Sequence, residues 1–149
     1  MEECSQELGL PLPPGPPPAD GAGPPKPPSP THRACMEQCI FNKQGLLTSD
    51  MQLNPEAIMK KETENFGSDA IWGPIVQAAV QSCIETAPSM VPADGQCKSG
   101  ASELRRCIMR TVYLNCPSNL MSQSDSCNAE RALLEQCPNL HPHPPRPGN

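Results

Sequence analysis

Apolar positions in the middle of the chain recur at helical rather than strand spacing. The clearest stretch is residues 71–84, where Ile71, Trp72, Ile75, Val76, Ala79, Val80, Cys83 and Ile84 return at steps of one, three and four. That period marks a broad apolar stripe on a helix. Pro74 suits the first turn of this helix, and Pro88 and Pro92 close it. A second segment places Leu104, Cys107, Ile108, Thr111, Val112, Tyr113 and Leu114 on one side, with Ser102 as its expected cap and Cys116-Pro117 as its end. Three weaker segments complete the set. One covers about 32–44, capped by Thr31 and stopped by Gly45, with Cys35 and Cys39 four apart on one face. One runs from Asn54-Pro55-Glu56 to Phe66, a start signal of cap, proline and acid, with Ile58, Met59 and Phe66 turned inward. The last is capped by Asp125 or Ser126, carries Cys127, Leu134 and Cys137 on one face, and stops at Pro138. No stretch alternates with period two. The expected fold is all-α, a compact disulfide-linked bundle of about five to six short helices.

Proline changes the picture at the ends. Eleven of the 21 prolines fall in residues 11–30 and five in residues 138–149. Proline fixes φ and lacks an N–H, so both stretches should be extended, disordered chain. The expected organisation is therefore a proline-rich extension over 1–30, a helical domain over 31–138 and a proline-rich tail over 139–149. PLPPGPPP contains a P-x-x-P pattern of the kind aromatic grooves read, but composition favours a spacer.

The net charge is −5, with the basic residues scattered, which argues against a nucleic-acid partner. No run of 18 apolar residues suggests membrane insertion. The first residues, MEECSQELGL, lack the basic start and apolar stretch of a secretory signal. There is no Gly-x-Ser-x-Gly, His-Glu-x-x-His or phosphate-binding loop, so no catalytic residue is assigned and no cofactor is implied. Cys35-x3-Cys39 finds no second pair of ligands, so no metal site is assigned.

Cysteine carries the most information. There are nine in 149 residues: Cys4, Cys35, Cys39, Cys83, Cys97, Cys107, Cys116, Cys127 and Cys137. Such density is characteristic of an extracellular disulfide framework. The gaps Cys35-x3-Cys39 and Cys107-x8-Cys116 resemble those of the insect odorant-binding proteins. The proline after Cys116, with Cys127 and Cys137 beyond it, is similar to the family's Plus-C branch. The resemblance implies a helical shell around an apolar cavity, a secreted carrier of odorants, pheromones or related hydrophobic molecules through aqueous fluid, and no enzymatic activity. A chemosensory receptor or a second copy of the chain would be further partners.

The family's basic set pairs first with third, second with fifth and fourth with sixth. Carried over, the resemblance implies Cys4–Cys39, Cys35–Cys107 and Cys83–Cys116. Cys127 and Cys137 are ten residues apart, about 15 Å on a straight helix, too far for a bridge. Cys97 would then take one of them and leave one thiol. The family has helices between its first two cysteines, where this chain has its proline tract. The alternative is four bridges among the eight cysteines from Cys35 to Cys137, with Cys4 free.

The expected cavity lining is Ile58, Met59, Phe66, Trp72, Ile75, Val76, Val80, Leu104, Ile108, Val112 and Tyr113, which would equally serve as ordinary core. Trp72 and Tyr113 stand out because each joins apolar area to a polar tip. His32, His141 and His143 would release ligand in acid, as the family does. The rival assignment is a twin Cys-x9-Cys hairpin protein of the mitochondrial intermembrane space, a structural or assembly factor, built on Cys97-x9-Cys107 and Cys127-x9-Cys137.

Overall fold

The computed structural model describes residues 2–9, 29–120, 124–137, 140 and 142. Most of the two proline-rich stretches, with His141 and His143, lies outside them. Among the described residues the chain is all-helical, with six α-helices: α1 (Glu2–Glu7), α2 (Pro30–Lys43), α3 (Pro55–Phe66), α4 (Trp72–Thr86), α5 (Ala101–Leu114) and α6 (Asp125–Gln136). A 3-10 turn over Ala87–Met90 continues α4.

Helix α1 was not expected, because it precedes the proline tract. Its Cys4 and Ser5 are each 1% exposed. Lys43 at the end of α2 reaches Glu7 at 2.6 Å and Glu3 at 3.2 Å. Those two hydrogen bonds hold the ammonium above the ordinary lysine range, Glu7 contributing more.

The helix starts follow capping chemistry, with several caps displaced from expectation. Ser29, not Thr31, caps α2; Pro30 fills the first helical position, and the Ser29 side chain accepts from His32 N at 3.2 Å. Asn54 caps α3 as expected, accepting from Ala57 N at 3.2 Å. Helix α4 is capped from outside its own first turn. The Asp69 carboxylate accepts from Ile71 N at 2.9 Å and Trp72 N at 2.8 Å. Ser102 does not cap α5; it is buried inside the first turn, and the chain enters through Gly100 at φ +81°. Ser124, one residue before the expected Asp125 or Ser126, caps α6 by accepting from Cys127 N at 3.3 Å.

The main core lies between α3, α4 and α5. It contains Ile58, Val76, Val80, Cys83, Ala87, Ala101 and Leu104, with Phe41, Met59, Ile108 and Val112 packed against it. Leu46, Leu47 and Leu53 join it from the connection between α2 and α3. That connection folds back through a single antiparallel bridge between Leu47 and Leu53, with Met51 at φ +58°. Helical periodicity could not flag these leucines, because they sit on a turn. Phe66, expected inside, is 41% exposed. It is the last residue of α3, where the start of α4 approaches its backbone while its side chain stays open to solvent.

Three disulfides cross-link the helices: Cys4–Cys39, Cys35–Cys97 and Cys83–Cys107, with Cα separations of 5.8, 5.0 and 5.6 Å. Cys4–Cys39 is as expected. Cys35–Cys107 and Cys83–Cys116 are corrected, and so is the alternative that left Cys4 free. The first-third, second-fifth, fourth-sixth rule is kept, but Cys97 is the fifth member and Cys107 the sixth. Cys107 is carried by α5 against α4, where Cys83 waits. Cys97 instead sits in the loop that crosses α2, a position fixed by Ser99 N donating to Gln38 Oε1 at 3.1 Å. Cys116, Cys127 and Cys137 are free thiols, so neither of the last two pairs with Cys97. The bridges of a twin Cys-x9-Cys hairpin are therefore absent, and Cys97 is not on a helix at all.

Candidate functional site

Helix α4 has no charged residue between Trp72 and Ile84. Its inner face (Val76, Ala79, Val80 and Cys83) is buried. In its N-terminal half the outer face is apolar without being covered: Ile71 at the N-cap is 48% exposed, and Pro74 and Ala78 are exposed as well, whereas Gln81, Ser82 and Glu85 make the second half polar. Leaving such a stripe in water forgoes burial energy, so it is a feature to be explained.

That face borders an open groove of about 320 Å³ between α4 and α5, lined by Pro74, Ile75, Ala78, Ala79, Thr111 and Asn115. The α4 side is aliphatic and the α5 side carries two polar groups. Alanine at 78 and 79 supplies the width, since a larger side chain would fill the space. The Cys83–Cys107 bridge ties the two helices one turn beyond Ala79. The groove's depth is therefore set covalently as well as by packing.

The polar side has defined hydrogen bonding. Thr111 Oγ1 lies 3.7 Å from Cys83 Sγ. Cys83 is oxidised and has no S–H, so the threonine hydroxyl is the donor. Asn115, at the C-terminal cap of α5, donates from Nδ2 to Thr111 O at 2.8 Å. This contact identifies which amide atom is nitrogen and leaves Oδ1 pointing elsewhere.

Of the residues expected to line a ligand site, Ile75 lines this groove. Val76, Val80, Leu104 and Ile58 lie in the core behind it, and Met59, Ile108 and Val112 pack on that core. Trp72 is half-buried in the first turn of α4. Tyr113 turns away from α4 towards α6, where its hydroxyl donates to Glu130 Oε2 at 3.4 Å. Burial first, and then the Glu130 charge, push the phenol above the ordinary tyrosine range. His32 is exposed on α2. Thr111 was visible in the α5 stripe, and Pro74 as a first-turn proline. Ala78 and Asn115 carried no signal, because small and capping residues occur throughout helical proteins. Among the described residues no cluster of three His, Cys, Asp or Glu side chains could hold a metal ion, and no helix is long and apolar enough to cross a membrane.

Comparison with known proteins agrees with this architecture. The model of the PBP/GOBP family matches residues 1–111. General odorant-binding protein 68 of Anopheles gambiae is 26% identical over 120 residues, covering 74% of this chain and 57% of the relative. Odorant-binding protein 47 of the same organism is 26% identical over 120 residues, covering 71% of this chain and 52% of the relative. The chain thus spans about half the length of the curated relatives it matches. No solved structure matches. The matched region holds all six bridged cysteines and stops before the Cys116-Pro117 step. With a helical fold, the family's disulfide order and a family match over most of its length, the chain belongs to the PBP/GOBP family, a family of binding proteins.

Proposed function

We propose that this protein is a secreted carrier of small hydrophobic molecules, odorants or pheromones among them, and that it takes them up in the groove between α4 and α5. The observation that carries this reading is the uncharged stretch of α4 from Trp72 to Ile84. Its outer stripe of Ile71, Pro74, Ile75 and Ala78 is left open beside a groove of about 320 Å³. That volume falls in the range of small-ligand sites, roughly 300–1,000 Å³. Transfer of each ligand CH₂ from water is worth about 0.8 kcal/mol, so a medium-length aliphatic chain suffices for useful affinity after ordering costs. Val76, Val80, Leu104, Ile108 and Val112 belong to the apolar core behind the groove. The names of the Anopheles relatives, both odorant-binding proteins, support the ligand class. Three disulfides support an oxidising, extracellular setting.

The test is uptake of the apolar fluorophore N-phenyl-1-naphthylamine, followed by its displacement with medium-chain aliphatic compounds. Saturable uptake by the native chain, abolished by Ala78→Trp, is the expected result. Uptake unchanged in Ala78→Trp overturns the groove assignment, and no uptake at all overturns the carrier reading.

A further inference from the structure

We infer that the groove selects hydrophobic molecules that end in a hydroxyl, preferring an alcohol over an ether, ester or aldehyde of the same length. The inference rests on the carrier reading and concerns the polar side of the same groove.

The argument is a count of donors and acceptors. Thr111 has a single hydroxyl proton, and its one polar neighbour, Cys83 Sγ, is an oxidised sulfur that can only accept. The proton is engaged there, and what Oγ1 offers the groove is lone pairs. Asn115 spends one of its two Nδ2–H groups on Thr111 O, which leaves one N–H and both lone pairs of Oδ1 without an intramolecular partner. The two residues are one helical turn apart on the groove side of α5 and both line it. The polar edge is therefore predominantly accepting, and an O–H group is the complement of such an edge. An ether or ester oxygen only accepts. Placed against these two oxygens it would strip them of water and return no hydrogen bond, which is the situation binding sites discriminate against most sharply. The opposite wall, Pro74, Ile75, Ala78 and Ala79, offers nothing polar, so the hydroxyl has one place to go and the hydrocarbon lies along α4.

The discriminating pair is 1-nonanol and octyl methyl ether, isomers that differ in whether the oxygen carries a proton. The ether is the more hydrophobic of the two, so a merely greasy groove would favour it. Competition of each against N-phenyl-1-naphthylamine on the full chain should show the alcohol binding about three- to tenfold more tightly, the range of one net hydrogen bond at a partly exposed site. Asn115→Ala and Thr111→Val should each reduce that ratio towards one, by weakening nonanol and by relieving the ether of the desolvation cost at the removed oxygen. Two variants are used because Asn115 also caps α5, whereas Thr111→Val is nearly isosteric. Equal or tighter binding of the ether by the native chain overturns the hydroxyl preference, and so does a ratio that both variants leave intact. If Ala78→Trp still abolishes uptake in that case, the groove stands as a non-selective site. If the native chain takes up no probe, the carrier reading falls and the preference with it; if it takes up probe that neither isomer displaces, the hydroxyl preference alone is overturned.

Discussion

The Arg110 guanidinium on α5 donates from Nη2 to the backbone carbonyl of Leu134 on α6. The arrangement is reciprocated one helical turn away: Arg131 on α6 donates from Nη2 to the carbonyl of Leu114 at the end of α5, at 2.8 Å. Two arginines, one from each helix, thus hold the pair together through main-chain oxygens, with Leu134 2% exposed between them. No disulfide joins α6 to the remainder, so its docking rests on non-covalent contacts, these two hydrogen bonds, the Tyr113–Glu130 bond and the buried Leu134 among them.

Truncating that leucine should release the helix. Leu134→Ala is expected to destabilise the docked α6 by about 2–5 kcal/mol, as for other buried leucines. Hydrogen exchange should then rise over residues 125–136 while protection in α4 persists. Loss of protection throughout the chain would show that α6 is part of the cooperative core instead.

The sulfur assignments are open to direct measurement. Mass mapping of the oxidised protein should find Cys4–Cys39, Cys35–Cys97 and Cys83–Cys107, with Cys116, Cys127 and Cys137 alkylated without reduction. Replacing Cys83 and Cys107 together with alanine should cost about 2–5 kcal/mol in chemical denaturation. It should also weaken ligand uptake, because the groove loses the tie that sets its depth. Cys127→Ala should change stability far less.

Gly73 lets the start of α4 approach the end of α3. A Cβ placed there would lie 2.9 Å from the carbonyl oxygen of Phe66, a backbone atom with no flexible tip to swing aside. Gly73→Ala is therefore expected to destabilise the protein by about 1–3 kcal/mol despite the better helix propensity of alanine. A neutral or stabilising result in a denaturant titration would mean that α4 can shift outward at little cost.

Asp69 predicts an acid-dependent start to α4. Hydrogen bonds from the Trp72 and Ile71 amides hold its carboxyl below the ordinary aspartate range. A depressed folded pKa contributes stability that is complete above the unfolded value and is lost as the pH falls through the folded one. The melting-temperature difference between native protein and Asp69→Ala should thus be constant from neutral pH to about 5 and shrink below about 4, near the free-aspartate value. A difference that persists unchanged at pH 2 would assign the effect to packing rather than to the charged cap.

Helix positions and many of their boundaries were readable in the chain because they follow from local chemistry. Asn54-Pro55-Glu56 starts α3 and Phe66 ends it as expected, and the apolar recurrence from Ile71 to Ile84 falls on α4 and its N-cap. The cap shifts at Ser29, Gly100 and Ser124 are of one or two residues, the scale on which neighbouring small polar groups compete for the same amides. Helix α1 was missed because six residues before a proline tract carry no periodicity. Its position depends on Cys4 reaching Cys39 and on Lys43 reaching Glu3 and Glu7.

Spacing along the chain was enough to identify a disulfide-linked helical protein, because cysteine density and apolar period are properties of the chain itself, and the family resemblance implied the pairing order. Which cysteine fills each place in that order was decided in three dimensions. Cys107 could go to Cys35 or Cys83 until α5 packed on α4 and turned its sulfur to one of them. The groove arose in the same way. Thr111 and Asn115 became a polar edge only when α5 lay beside the uncharged face of α4, since a site formed by two helices depends on their relative placement, which neither helix encodes alone.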